Sequence, residues 1–186
     1  FVGLLLAVTL NNEKVKFQKI YRSIYILPYA IPAFISIIVF KGLLNPDYGV
    51  VNEWFAPLYE LFNIEPINWF RTKGSSRAAV LLVNTWLGFP YMFLIATGAL
   101  QSIPKELLEA AKVDGASPRQ SFWRITFPLL LVSISPLLIG AFAFNFNNFT
   151  LIFLLTSGGP PIVGADVAVG YTDILISFTY DLAIAG

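Results

Sequence analysis

EAAKVDGASPRQSFWRITFP, residues 109–128, is a polar stretch of 20 residues set between two long apolar runs. Just upstream, Pro104 suits the first turn of a helix, because its missing N–H would have no intrahelical partner there. A short helix from Pro104 to about Val113 is predicted. Asp114-Gly115 then offers a stop, since glycine takes the left-handed conformation that ends helices without steric cost. Ser117-Pro118-Arg119-Gln120 reads as a second start, with Ser as N-cap, Pro at the first helical position and Gln able to reach back in a capping box. Leu107, Leu108 and Ala111 give the first helix one narrow apolar face, leaving Lys105, Glu106, Glu109 and Lys112 for another. That helix is amphipathic and too short to cross a membrane.

The composition around this stretch is that of a membrane protein. Of 186 residues, 56% are hydrophobic, 16% aromatic and only 12% charged, and the apolar runs are long enough to be spans. A net charge of +1, with no basic run interleaved with aromatics, gives no argument for nucleic acid. With no Cys and no His, disulfides, thiol nucleophiles, imidazole bases and the usual zinc sites are excluded. No carboxylate pair lies inside an apolar run, which leaves little chemistry for an intramembrane enzyme. The chain starts without an initiator Met, and Phe1 to Leu10 is about half of a span, so the expectation is a fragment that begins inside a helix. The abrupt end at Ala183-Ile184-Ala185-Gly186 extends this expectation to missing terminal helices.

Four apolar stretches are expected in the membrane: 1–10 (truncated), 23–44, 78–100 and 125–155. Pro28 and Pro32 interrupt the second, which implies a kink or a local loss of backbone bonds. Basic residues orient the chain. Asn11 to Arg22 carries Lys14, Lys16, Lys19 and Arg22 against one acid, Glu13, and the loop 101–124 returns to the same, cytoplasmic side with four more cations. Between 23–44 and 78–100, Val51, Trp54, Phe55, Leu58, Leu61 and Phe62 repeat at helical spacing. They predict a short amphipathic helix in the outer interface, where Trp rings prefer to sit, or else a helix packed on a partner. The run 125–155 is longer than a bilayer demands and is expected to bend at Pro136. Thr156-Ser157-Gly158-Gly159-Pro160-Pro161 breaks it and opens an external loop. Ile174, Leu175, Phe178 and Leu182 then predict a last amphipathic helix. With no repeat and no second domain legible, residues 1–186 read as one transmembrane domain.

Uncharged polar groups at membrane depth are costly unless partnered. Asn84, Gly88 and Tyr91 fall at i, i+4 and i+7 and so share a helix face, beside Trp86 and a bend at Pro90. In Phe142 to Phe149, Phe144 and Asn148 share a face on a continuous helix, with Asn145 one step around. No acid or base takes part, so proton relays and charged ion ladders are excluded there. Amides that donate and accept, beside aromatic faces, suit a neutral polyhydroxylated ligand. They equally suit interhelical hydrogen bonding, for which Asn147, pointing away from the others, is the best candidate.

Glu109-Ala110-Ala111, Gly115 six positions after the Glu, then Ile125 and Pro128 resemble the EAA loop of permease subunits of bacterial ABC importers. Phe127 stands where that family has Leu. The likeness continues through Ile26-Leu27-Pro28-Tyr29-Ala30-Ile31-Pro32, Asn84 to Tyr91, Phe142 to Phe149 and Gly158-Gly159-Pro160, which look like the larger membrane subunit of maltose/maltodextrin importers. The resemblance implies an all-α, polytopic transmembrane bundle of the ABC importer permease (MetI-like) type in the bacterial cytoplasmic membrane. It implies an oligosaccharide substrate met by Asn84, Gly88, Tyr91, Phe144, Asn145 and Asn148, and coupling to an ATPase through Glu109, Ala110, Ala111, Asp114 and Gly115. The implied partners are a second permease subunit, a dimeric cytoplasmic ATPase, an extracytoplasmic sugar-binding protein and membrane lipid. The chain has no phosphate-binding glycine loop, so ATP and Mg would be bound by the ATPase, with no cofactor or metal held here and no enzyme activity of its own. The competing reading is an ATP-independent channel or secondary transporter for small neutral solutes.

Overall fold

The computed structural model describes residues 1–12 and 15–185. Glu13 and Lys14 of the first basic loop, and Gly186, lie outside the described residues. Among those described the chain is helical throughout its regular elements: α1 (Val2–Leu10), α2 (Gln18–Ile26), α3 (Ala33–Leu43), α4 (Val50–Phe62), α5 (Lys73–Gln101), α6 (Lys105–Val113), α7 (Pro118–Ser121), α8 (Phe127–Phe146), α9 (Phe149–Leu155) and α10 (Leu175–Ala185). α5 has 29 residues and the helical run Pro118–Leu155 has 38, and each contains an 18-residue stretch apolar enough to cross a membrane.

Local chemistry explains where the helices stop. Pro28 lies in a tight helical turn, Leu27–Ala30, that closes α2, and Pro32 is extended (φ −53°, ψ 132°) and caps α3. Each proline removes a backbone donor, so the run 23–44 is interrupted at Ile31-Pro32. Between α7 and α8, Phe122–Thr126 forms a wide π turn, with the Phe127 N–H donating to Phe122 O. Three rings crowd this turn: Trp123 is 5.3 Å from Phe122 and 4.9 Å from Phe127, centroid to centroid.

The chain forms two compact units, residues 1–30 with 88–143 and residues 31–87 with 144 onward, and α5 and α8 each pass through both. In the first unit the core is Ala7, Leu10, Phe93, Ala96, Leu100, Ile103, Leu130 and Ile134. Tyr25 places its ring edge-on to Phe93 at 5.5 Å. α1 approaches the backbone of α5 closely at Gly3, where an added Cβ would collide with Phe89 O and lie 2.6 Å from Phe93 N. Only a glycine permits that contact.

The second unit packs Ile37, Leu44, Ala79, Val83, Leu151 and Leu155 into its core. α10 closes on α9 through Phe149, Phe153 and Tyr180, with ring centroids 4.9 to 5.6 Å apart. Several cations here meet carbonyls and rings. Lys41 Nζ donates to Leu154 O at the end of α9 (3.0 Å), Arg77 Nε donates to Tyr171 O (3.0 Å), and Lys73 Nζ lies 5.4 Å from the centre of the Tyr171 ring. A cation at the last carbonyls of a helix is favourably placed against its dipole. The breaker sequence after α9 is an ordered loop. Thr172 Oγ1 donates to Gly159 O (2.7 Å), Asp173 accepts from Gly170 N–H and Ser177 Oγ, and Gly158 (φ +78°) lies so close to the Asp173 carboxylate that no Cβ would fit.

Candidate functional site

The expected polar residues of the two long helices meet at one contact. Asn84 on α5 donates from Nδ2 to Asn145 Oδ1 near the end of α8, at 2.8 Å. The two residues are 61 positions apart in the chain and both belong to the second unit. Beside them Trp86 packs edge-on against Phe40 of α3, centroids 5.6 Å apart. Asn84 is half-buried, and Asn145 and the neighbouring Phe144 are exposed, Phe144 at 69%. Two amides and a large exposed ring thus stand together on apolar helices with no ionisable side chain among them, an arrangement suited to hydroxyl groups and to the apolar face of a ring.

Asn148 is placed differently from the expectation. α8 ends at Phe146, and Asn148 is the N-cap of α9, its Oδ1 accepting the Leu151 N–H at 3.4 Å. Asn strongly prefers that role, because its side chain satisfies an N–H that would otherwise lack a partner. The helix carrying Phe144 therefore does not continue to Asn148, and the shared i, i+4 face does not form. Gly88 and Tyr91 lie on α5 in the portion that belongs to the first unit. An added Cβ at Gly88 meets nothing within 4 Å, and Tyr91 is half-buried.

The second candidate region, α6 and the turn after it, lies wholly in the first unit. Pro104 is the N-cap of α6, so the helix begins at Lys105, one position after the predicted start. Ala111 is 6% exposed and seats the helix on its own chain, while Glu109, Ala110 and Asp114 face outward. Leu107, expected on the packed face, is 43% exposed, since the buried direction runs through Ala111 and the half-buried Leu108. The helix ends at Gly115 (φ +78°), with the Gly115 N–H donating to Lys112 O (3.1 Å) and the Ala116 N–H to Ala111 O (2.9 Å). These two bonds are the left-handed glycine cap that satisfies the last carbonyls of a helix. The predicted capping box is present: Ser117 N–H donates to Gln120 Oε1 (2.8 Å) and Gln120 N–H to Ser117 Oγ (3.3 Å). Leu108, Lys112, Ser121 and Phe122 line a groove of about 320 Å³ beside this turn.

One buried polar centre escaped the sequence reading. Asn52 on α4 is 8% exposed, donates from Nδ2 to Ile67 O (2.9 Å) and accepts at Oδ1 from Trp69 Nε1–H (3.2 Å) and the Tyr59 hydroxyl (3.4 Å). The attraction of the apolar period around it hid the one amide in that period. Among the described residues no three His, Cys, Asp or Glu side chains gather as a metal ion would require.

A family described as binding-protein-dependent transport system inner membrane component matches residues 1–185. The chain is 49% identical over 185 residues to the maltose/maltodextrin transport system permease protein MalF of Yersinia pestis, covering 100% of this chain and 34% of that one. It is 50% identical over the same span to the protein of that name from Salmonella typhimurium (strain LT2), and 47% to that of Escherichia coli (strain K12), covering 35% of each. The chain therefore spans about a third of the length of these relatives. Its fold is similar to that in the crystal structure of a bacterial ABC transporter involved in the import of the acidic polysaccharide alginate, with TM-score 0.81 at 24% identity over 100% of this chain and 61% of that one. It is similar also to a bacterial alginate ABC transporter in complex with an alginate pentasaccharide-bound periplasmic protein, with TM-score 0.79 at 25% identity and the same coverage.

Proposed function

Because the chain belongs to the family of binding-protein-dependent transport system inner membrane components, we propose that it forms part of the sugar path in a permease subunit of an ATP-driven importer. Its fold is the all-α fold of ABC importer permeases, and it is an integral membrane protein. The substrate in this reading is a maltose/maltodextrin-like oligosaccharide, as the names of its relatives suggest, handed to the permease by an extracytoplasmic binding protein for passage across a bacterial cytoplasmic membrane.

The observation that carries the reading is that Asn84 and Asn145, joined by an interhelical hydrogen bond, bring two amides together on membrane-length helices beside the exposed Phe144 ring. Amides are retained at such depth at a cost, and without charge they offer hydroxyls both donors and acceptors. Phe144 supplies a ring on α8 and Asn148 follows at the α9 cap, while Gly88 and Tyr91 are included on the family resemblance alone. All six residues are proposed to meet the sugar.

Coupling is assigned to α6 and its glycine cap. Glu109, Ala110, Asp114 and Gly115 face outward, and Ala111 holds the helix on the permease. A cytoplasmic ATPase dimer, which binds ATP and Mg and performs the hydrolysis, receives this helix, and a second permease subunit completes the membrane pore. When the ATPase closes on ATP, α6 is carried with it, and the spans switch access between the two sides of the membrane. The capping box leads through the π turn directly into α8, so α6 is joined in the chain to a membrane-length helix.

The experiment is sugar uptake by the full-length protein assembled with its partners in vesicles. Asn84→Ala and Asn145→Ala are expected to raise the sugar concentration needed for half-maximal uptake while the complex still assembles. Uptake unchanged in the double variant would remove the site.

A further inference from the structure

α4 has three distinct faces, and only two of them are accounted for. On the first, Asn52 and Tyr59 bind the helix to its own unit through Ile67 O and Trp69 Nε1. On the second, Glu53 and Glu60 lie together, seven residues apart. The third carries Trp54, Leu58, Leu61 and Phe62, which are 75%, 46%, 75% and 65% exposed. No charged residue interrupts it, and α4 contains no Lys or Arg.

We propose that this third face is immersed in the interfacial lipid of the membrane, with Trp54 at the boundary between headgroups and acyl chains. The position of the helix favours lipid over a protein partner. Asn52 ties α4 to Ile67 and Trp69, a few residues before α5 begins at Lys73, so α4 is held at one end of a membrane-spanning helix. In the same unit, α3 leaves Phe34 and Ile38 exposed at 52% and 54%, and α5 leaves Leu81 exposed at 66%. These side chains, like the flank of α4, are large apolar groups left uncovered on helices of an integral membrane protein. With 13 residues, about 20 Å of helix, α4 is too short to cross and long enough to lie in the interface, with its acids turned away. Lacking cations, it is held by apolar burial and the indole rather than by anionic headgroups. The inference depends on membrane residence and not on the transported substrate.

The test reads Trp54 as the difference in emission between the wild-type protein and Trp54→Phe, using the full-length protein in its complex reconstituted in phosphatidylcholine vesicles. Phosphatidylcholine brominated near the glycerol end of its acyl chains is expected to remove the Trp54 signal, chains brominated near the methyl end to remove less, and aqueous iodide to leave it unchanged. Leu61→Asp, which places a carboxylate in the same flank, is expected to make Trp54 accessible to iodide. Quenching by iodide in the wild type would put this face in water, and quenching by neither agent would put it under protein. Stronger quenching by the deep bromines, or an unaltered signal in Leu61→Asp, would equally overturn the proposal.

Discussion

Gly115 offers a substitution series in which backbone and side-chain effects separate. Its φ is +78°, and an ideal Cβ built there meets nothing within 4 Å. Adding a side chain therefore causes no collision, and the whole cost is conformational. For an ordinary L residue the left-handed region costs about 1–2 kcal/mol, and β-branched residues tolerate it least. Asn is the exception, because its short amide visits that region routinely. The expected order of cap stability is thus Gly close to Asn, then Ala, then Val. What is lost is the pair of bonds from Gly115 N–H to Lys112 O and from Ala116 N–H to Ala111 O. A cost of about 1–2 kcal/mol lowers the capped population relative to the frayed one by roughly 5- to 30-fold. Hydrogen exchange at the Ala116 amide in the intact protein should rise by that factor in Gly115→Val and hardly at all in Gly115→Asn. Because the turn is exposed and outside both cores, membrane insertion should be unaffected, while ATP turnover stimulated by loaded binding protein falls in the same order. Equal exchange at the Ala116 amide in Val and Asn would refute the backbone argument, and an Asn variant that exchanges like wild type but loses ATP turnover as Val does would move the cause of that loss to a side-chain contact.

Three other perturbations follow from contacts described above. Asn52→Leu removes the partner of Ile67 O, Trp69 Nε1 and Tyr59 at a buried site and should destabilise the protein by about 1–3 kcal/mol, read as a lower denaturation temperature in detergent. Gly3→Val drives a branched side chain into the backbone at Phe89 and Phe93, where no rotamer gives relief, so folded yield should drop sharply while Gly42→Val, in open space, leaves yield nearly unchanged. Asn148→Ala removes the α9 cap and should cost about 1 kcal/mol, whereas Asn148→Asp or Asn148→Ser retains a capping oxygen and restores unfolding resistance.

The features legible in the sequence were those whose physics is local. Ser117 and Gln120 are three residues apart, and Asp114-Gly115 acts within a single turn, so the capping box and the glycine stop could be placed from spacing alone. Pro28 and Pro32 announced a break for the same reason. Asn148 misled because the i, i+4 rule assumes an unbroken helix, and the preference of Asn for a cap competes with that assumption at the very residue concerned. The Asn84 to Asn145 contact joins residues 61 positions apart, and the Asn52 centre reaches 15 and 17 positions ahead to Ile67 and Trp69. No periodicity within one helix encodes either pairing. The burial of Ala111 and exposure of Leu107 were likewise settled by what lies beneath α6.

The cations of the second unit carry a consequence for measurements in salt. Lys41 and Arg77 each donate to a carbonyl oxygen, and Lys73 lies over the Tyr171 ring. A short bond to a fixed dipole has no mobile counter-charge for dissolved ions to compete away, unlike an exposed charge pair, whose attraction fades beyond about 8 Å at physiological ionic strength. Raising the salt concentration should therefore leave the ends of α3, α5 and α9 tied as they are. The outward charges of α6, Lys105, Glu106, Glu109 and Lys112, act instead on whatever charge is brought against them, and dissolved ions compete for that attraction. Ionic strength thus becomes a selective tool, loosening whatever docks on α6 while the loops around Tyr171 and Leu154 stay closed.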